Sequence, residues 1–492
     1  MLRNAQISSR GIRRRPTHII IIPSEHGVEH ALPPCRHRIP VRHLNADALY
    51  TRPRPEAQLS VSSGLGLSSD GDAMSLEPGQ MAFLLDQASR SKMTDRHMWN
   101  QFTEMALPMA RSFTAEQVCV VVHACARVAF KKHSLLTKLC QQAISKQHSL
   151  TPRQISGLLS DLGKLQFLDD STLMAFTETI RRSVHLYNVF ELALVVTAYG
   201  RIDLRDHLAL DLLADTMGQK VTEGGIGIGG PRVVDPSMIS AVVFALLKLD
   251  YGHWLLGVLL FREIPKHIAH LPLQSLVNCT FALMSLDVLD PPLACDERGV
   301  LPADDGERTD VSVSLFLRLM KEIVKRQSEL VLPEIRQLHI IDACIQYCAT
   351  ALGAAIGERG LPAEVSKLLC DVKGVGLGNS PTPSTMQVRV ERLLDDLQVR
   401  YKKEMPIYPY VVDFAVPDEM VVLEVDGFTH FYVLSRRFTL KSRLRRRILE
   451  AAGWKVVSLP YFEWKNKNQV DKRDFLTAAV QRDTNMSLKD LR

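Results

Sequence analysis

The 492-residue sequence has no apolar stretch long enough to cross a bilayer. Its longest uninterrupted run, Trp254–Phe261, falls far short of the ~20 residues a spanning helix needs, so no membrane insertion is expected. Nine cysteines occur without a CxxC pair and without histidines at ligand spacing, which excludes the common zinc modules. Cys344 and Cys348, four apart in an apolar helical run, read as reduced core thiols of a reducing compartment. No acid precedes Glu25 and no lysine occurs in the first 75 residues. Acids are also missing from Arg436–Arg447, where seven of twelve residues are basic. With a net charge of only +6, the chain permits an anionic partner without demanding one, and the local clusters carry more information than the total.

What is present begins with an unusual start. Arg3, Arg10, Arg13, Arg14 and Arg15 sit in an acid-free stretch, followed by the short run HIIIIP (His18–Pro23) and the linker-like SVSSGLGLSSDG (Ser60–Gly71). An Arg-rich, acid-poor, Ser-containing start resembles an organellar transit peptide. Residues 1–75 are therefore expected to be targeting peptide and linker.

From residue 76 the chain repeats. In five aligned segments a basic or polar residue precedes the closing apolar pair, at Arg127, Lys164, Arg201, Lys248 and Ser285, with steps of 37, 37, 47 and 37. Arg90 lies one step upstream, and the long step holds GGIGIGG (Gly224–Gly230). A fixed period with helical patterning predicts an α-solenoid of hairpin repeats over 76–371. One unit shows why. Thr151 caps a helix that Pro152 opens, and Ile155, Leu158, Leu159, Leu162 and Leu165 form its apolar face. Leu173, Phe176 and Ile180 do the same in a second helix. Two such helices cannot bury both faces alone, so neighbours must stack. The fourth position of each unit (Gln80, Gln117, Gln154, Glu191, Met238, Ser275) reads as an exposed helix position with no base-reading role. Residues 288–308 read as a surface loop, and two further helical segments over 310–370 as a degenerate cap. GVGLGNSPTP (Gly374–Pro383) marks a linker, placed at 372–383.

The last unit, 384–492, opens on a helix capped by Ser384. Its centre is Tyr410–Pro460. Tyr410–Val416 alternates around Asp413, and Val421–Asp426 is β-branched, with Glu424 and Asp426 on one face. Gly427 ends that run and His430 follows in a turn. Leu440, Leu444, Ile448 and Ala452 then recur every four in a basic helix, with Gly453 as its C-cap. Lys455–Leu459 is a third strand.

DF, LEVDGFTHF, the basic helix, GWKVVSLP and the later EW (Glu463, Trp464) together resemble a RAP domain, the RNA-binding domain named for its abundance in apicomplexans. The period of the repeats resembles the heptatricopeptide-type arrays that precede such domains. The resemblance implies a small α/β fold of the restriction-endonuclease-like kind after a mostly α solenoid. It also implies an organellar protein, expected in the mitochondrion with the plastid as the alternative. In that endonuclease group a strand Asp and a nearby Glu-x-Lys bind a divalent metal. Asp413 and Glu424 match the pattern, but Asp426 stands where the Lys belongs.

Two chemistries follow from these residues. Asp413, Glu424 and Asp426 form a candidate Mg²⁺ site, and with His430 or Lys441 replacing the missing Lys they form a candidate nuclease centre. Their simpler role is to cap the helix or pair with its arginines. Arg436, Arg437, Lys441, Arg443, Arg445, Arg446 and Arg447 suit phosphate contacts. Phe428, Phe431 and Tyr432, with His430, are candidates to stack on unpaired bases. The expectation is a protein that binds, stabilises or helps organise and process organellar RNA, ribosomal or messenger, with ribosomal proteins as further partners and no cofactor. The rival readings are a metal-dependent endoribonuclease using Mg²⁺ and a protein-interaction scaffold.

Overall fold

The computed structural model describes residues 76–491 apart from 168–169, 225–234, 294–303, 376–382, 434 and 466. The expected targeting peptide and linker (residues 1–75), most of the glycine-rich insertion, the middle of the 288–308 loop and most of the second linker lie outside these residues.

The repeats are helix pairs. Their first helices are α1 (Pro78–Arg90), α3 (Ala115–Arg127), α5 (Pro152–Lys164), α7 (Val189–Ile202), α9 (Pro236–Lys248), α10 (Leu273–Met284) and α12 (Leu332–Gln346). These pack side by side in that order. A second layer runs alongside through α2 (Arg96–Met109), α4 (His133–Ser145), α6 (Asp170–Ser183) and α8 (His207–Gly224). In the fifth pair its place is taken by Trp254–Gly257 and a π-turn over Val258–Glu263, and α11 (Asp305–Lys325), α13 (Ala351–Arg359) and α14 (Ala363–Lys373) complete the array. The expected apolar face is the buried one: Ile155, Leu158, Leu159, Leu162, Leu165, Leu173, Phe176 and Ile180 all belong to one continuous core.

Two local devices repeat with the period. At the front, a capping box closes α3, α5 and α7: the side chains of Thr114, Thr151 and Asn188 accept from the N–H of Gln117, Gln154 and Glu191, which bond back to the cap's own N–H. The fourth positions therefore have a structural task, beyond mere exposure, and Glu191 is buried. At the back, the turn after the helix places one residue in the left-handed region. Lys92, Ala129, Gln166 and Asp203 follow at steps of 37, and Asp250 comes next. The thiols divide: Cys125, Cys140, Cys279 and Cys344 are buried, whereas Cys348 and Cys370 are exposed and are not the core thiols expected.

The C-terminal unit is a four-stranded sheet in the order β1 (Lys402–Ile407), β2 (Tyr410–Val416), β3 (Val421–Asp426), β4 (Lys455–Pro460). The first three strands are antiparallel, and β3 and β4 are parallel, joined by a crossover through α16 (Leu440–Ala451). α15 (Thr385–Asp396) and α17 (Gln469–Thr484) cover one sheet face, with Val390, Leu394, Leu476 and Val480 against Phe414, Leu423 and Val457. On the other face, Leu449 of α16 packs on Val412, Val422 and Val456. Gly453 takes φ +93 just past α16, as a C-terminal stop requires. The remaining apolar stripe of α16, Leu440, Leu444 and Ile448, joins the core of the repeats. The basic helix is thus held between sheet and solenoid.

The close packing of first helices makes two glycines opposite in effect. A Cβ on Gly200 would come within 2.7 Å of the Ala245 Cβ across the α7–α9 contact, whereas one on Gly157 meets nothing within 4 Å. Gly200→Ala is expected to cost about 1–3 kcal/mol through overpacking. Gly157→Ala should stabilise by up to about 1 kcal/mol through helix propensity. Thermal melts of the two variants check the assignment, which a reversed order would contradict.

Candidate nucleic-acid interface

The arginines of the basic cluster point two ways, and most point inward. Asp250, in the turn after α9, is fully buried. Its Oδ2 lies 2.8 Å from Arg437 Nη2 and its Oδ1 2.5 Å from Arg443 Nη2. The same Oδ1 accepts from the Asp290 N–H at 2.8 Å. Arg205 of the repeats adds a third guanidinium, 3.9 Å from the carboxylate, while donating to the Leu249, Asp250 and Asp290 carbonyls. A buried carboxylate ringed by fixed cations is a strong and geometrically demanding contact.

Other contacts extend this docking. The Tyr432 hydroxyl donates to the Lys248 carbonyl at 2.7 Å and accepts from the Leu440 N–H at 3.0 Å. The Val433 N–H donates to the Asp203 carbonyl at 3.0 Å, within a parallel bridge between Leu204 and Val433. Arg447 pairs with Asp287 at 2.8 Å, and the Tyr408 hydroxyl donates to Asp342 at 2.9 Å. Arg437, Arg443 and Arg447 therefore hold the repeats, where the sequence suggested phosphate. Tyr432, only 1% exposed, is a docking residue and offers no face for a base.

The acidic trio is likewise engaged, each member by a different partner. Asp413 accepts from the Val425 N–H at 2.7 Å and from Gln387 of α15 at 2.6 Å. Burial raises its pKa, and those two bonds oppose the rise. Glu424 takes both its hydrogen bonds from Arg445 Nη2, at 2.6 and 2.8 Å. Burial pushes its carboxyl up to about 7 against that attraction. Asp426 accepts from the Ser458 hydroxyl and pairs with His430 Nδ1 at 2.9 Å. Among the described residues no group of three or more His, Cys, Asp or Glu is placed to hold a metal ion. Filling the trio with Mg²⁺ would require displacing Arg445 and Gln387, so the donor set does not fit that ion. Arg445, spent on Glu424 and the Val411 carbonyl, is no phosphate contact either.

A second face of the unit stays open. Phe428 is 73% exposed, and Arg436 and Lys441 are exposed. Arg436 lies over the Phe462 ring, 5.1 Å from its centroid. Phe462, Tyr461 and Phe438 gather round Phe431 with centroids 5.1, 5.9 and 4.5 Å away. Arg446, tied to Glu450 of its own helix at 2.8 Å, lines a pocket with Glu424, Asp426, His430, Ser442 and Ser458. Phe428 and Arg436 were legible in the sequence. Tyr461 and Phe462 were not singled out there, although their adjacency just after a strand was a usable signal.

The fold and this face define a class: an α-solenoid of helix-pair repeats carrying a small α/β domain whose free surface is aromatic and cationic. Residues 423–478 match the RAP domain family. The chain carries a RAP domain, and such a domain points to RNA as the ligand class. A stretch of 91 residues, 18% of the chain, is 37% identical to a "RAP domain-containing protein, chloroplastic" from Oryza sativa subsp. japonica. That alignment spans 14% of the rice protein.

The docking assignment has a direct consequence. Asp250→Ala takes the buried carboxylate away from three guanidinium groups, leaving Arg205 with backbone carbonyls and Arg437 with Asp290, and should destabilise the protein by about 3 kcal/mol. Asp287→Ala, at a half-exposed pair with Arg447, should cost under about 1 kcal/mol. Chemical denaturation of both variants checks this; equal and small losses would contradict the clamp.

Proposed function

We propose that the protein binds single-stranded organellar RNA through the open face of its RAP domain. The observation that carries this is the division of the cluster: docking uses Arg437, Arg443 and Arg447, Glu424 holds Arg445 within the domain, and Phe428, Arg436, Tyr461 and the half-buried Phe462 are left at the open face. Unpaired bases stack on exposed rings, and every base has a π-face. Arg436 adds a charge beside those rings for the backbone.

The Arg-rich start and the chloroplastic name of the rice relative both support an organellar site. The mitochondrion is our reading of that site, with the plastid as its rival. Ribosomal or messenger RNA is the ligand we assign, held for stabilisation or processing by other factors, with ribosomal proteins as neighbours. The engagement of all three carboxylates favours binding over cleavage.

The test is RNA binding by the full chain. Phe428→Ala and Tyr461→Ala should each weaken binding of a single-stranded organellar RNA about tenfold, as loss of one stacked base does. Both variants should melt as the wild type does. Unchanged affinity in both would overturn the assignment of this face. Cleavage of the RNA by wild type in Mg²⁺ would favour the nuclease reading, and no RNA affinity at all would favour the scaffold.

A further inference from the structure

The cation that closes the first helix of each of the first five pairs is not spent on docking. Arg90, Arg127, Lys164 and Lys248 end α1, α3, α5 and α9, and Arg201 lies in the last turn of α7. Because these helices pack in series, the five side chains form a row along one edge, one per repeat, at the ~8–10 Å spacing of adjacent helices. Their side chains stay open to solvent: Arg90 is 65% exposed, Arg127 31%, Lys164 45% and Lys248 36%. Arg201 is exposed as a residue.

Each also touches the repeat before it or its own helix. Arg127 reaches Asp86 and Ser89, Arg201 the Ser160 hydroxyl at 3.3 Å, and Lys248 the Gly200 carbonyl at 2.7 Å. Arg90 and Lys164 pair only within their own helices, with Asp86 and Asp161. Such stapling does not need charge: at the same edge Gln166 donates to the Arg201 carbonyl at 3.0 Å. Nor is the charge cancelled. Among the described residues the ion pairs of the five cations reach three carboxylates, Asp86, Asp161 and Asp203, and His123 also shares Asp161.

The row leads into the RAP domain. The repeat after Lys248 carries Ser285, fully buried, just before the Asp287 that Arg447 grips. There Lys441 takes up the charge. Lys441 lies in the first turn of α16, the helix that contacts α9, which Lys248 ends; desolvation, then Arg445 and Lys248, hold its pKa below that of an ordinary lysine, Asp203 opposes the shift, and Arg336 of α12 adds to the repulsion. Like charges gathered on an open edge are relieved by an anion.

We propose that Arg90, Arg127, Lys164, Arg201 and Lys248 form a track for the sugar–phosphate backbone of one RNA strand, leading to Lys441 of the RAP domain. This rests on the RNA-binding reading above and adds a second, separate site to it. One line of single cations suits one backbone, so the ligand is a single strand.

The experiment uses the full chain and a labelled single-stranded oligouridine, titrated at several salt concentrations. The variant Arg90→Gln, Lys164→Gln, Arg201→Gln removes three row charges and keeps hydrogen-bonding capacity. It should bind about a hundredfold more weakly at low salt, and the slope of log K against log salt should shrink by about 2, at roughly 0.7 per phosphate contact of a single strand. A charge-matched control takes Arg182→Gln, Lys325→Gln and Arg359→Gln on second-layer helices, at side chains 77%, 61% and 49% exposed. It should bind within about twofold of wild type.

Equal losses in the two triples would show a general charge effect and overturn the track. Wild-type affinity in the row variant would overturn the track while leaving the RAP-domain reading intact. Absence of binding by wild type would sink that reading itself, and the track with it. Tighter binding of duplex RNA than of the single strand would overturn the single-strand assignment. If circular dichroism shows the triple unfolded, Arg90→Gln with Lys164→Gln, paired only within their own helices, replaces it with an expected slope change of about 1.

Discussion

A single buried carboxylate sets the geometry of the C-terminal half. Asp250 receives Arg437 and Arg443 from the RAP domain and Arg205 from the repeats, and none of these groups keeps full hydration. Removing a charge pair from water is costly unless the geometry is close and the remaining polar atoms are satisfied. Here the Asp290 N–H and three backbone carbonyls complete the network. Once Asp250 is held from both sides, α16 must lie against the repeats. Its stripe of Leu440, Leu444 and Ile448 is then buried there, Arg447 reaches Asp287 and Arg445 turns to Glu424 of the sheet, and Lys441 and Arg446 face outward.

The docking site is built from the repeat period itself. Each of the first five turns behind a first helix places one residue at positive φ, and the first three are Lys92, Ala129 and Gln166. Asn and Asp tolerate that region better than most residues. The next two turns use Asp203 and Asp250, and these are the turns the RAP domain occupies, through the Asp203 carbonyl and the Asp250 carboxylate. A conformational demand that recurs along the solenoid thus becomes a recognition feature at two repeats. The same edge carries the basic row, which starts at the three repeats left uncovered and runs into the two that the RAP domain occupies, so docking and the proposed RNA track share one side of the array.

Much of this was legible in the sequence because local rules govern it. Thr151 and Pro152 start α5, Ser384 starts α15 and Gly453 ends α16, each for reasons confined to one turn. The strand around Asp413 followed from alternation and the strand around Glu424 from its β-branched run. β1 escaped notice because KKEMPI is a polar edge strand with a proline, paired on one side only, and so lacks the apolar run that marks interior strands. The roles of the arginines were hidden for a different reason. Composition shows that seven cations crowd α16 and its approach, but not that Arg437 meets Asp250 across 187 positions or that Arg447 meets Asp287 across 160. Tyr432 was misassigned for the same cause: its ring and hydroxyl are consumed by a partner far away in the chain. The trio of Asp413, Glu424 and Asp426 is close in the sheet, yet the side chains that claim them come from α15, α16, β4 and the turn at His430.

The central claim is that RAP domain and repeats form one docked body. Amide hydrogen exchange in the full chain tests it at the Val433 N–H, whose acceptor is the Asp203 carbonyl of the repeats. Docking predicts that Val433 is protected to a degree approaching the interior amides of β3, and that Asp250→Ala abolishes this protection while the β3 amides keep theirs. Rapid exchange of Val433 in the wild type, with the sheet still protected, would contradict the account.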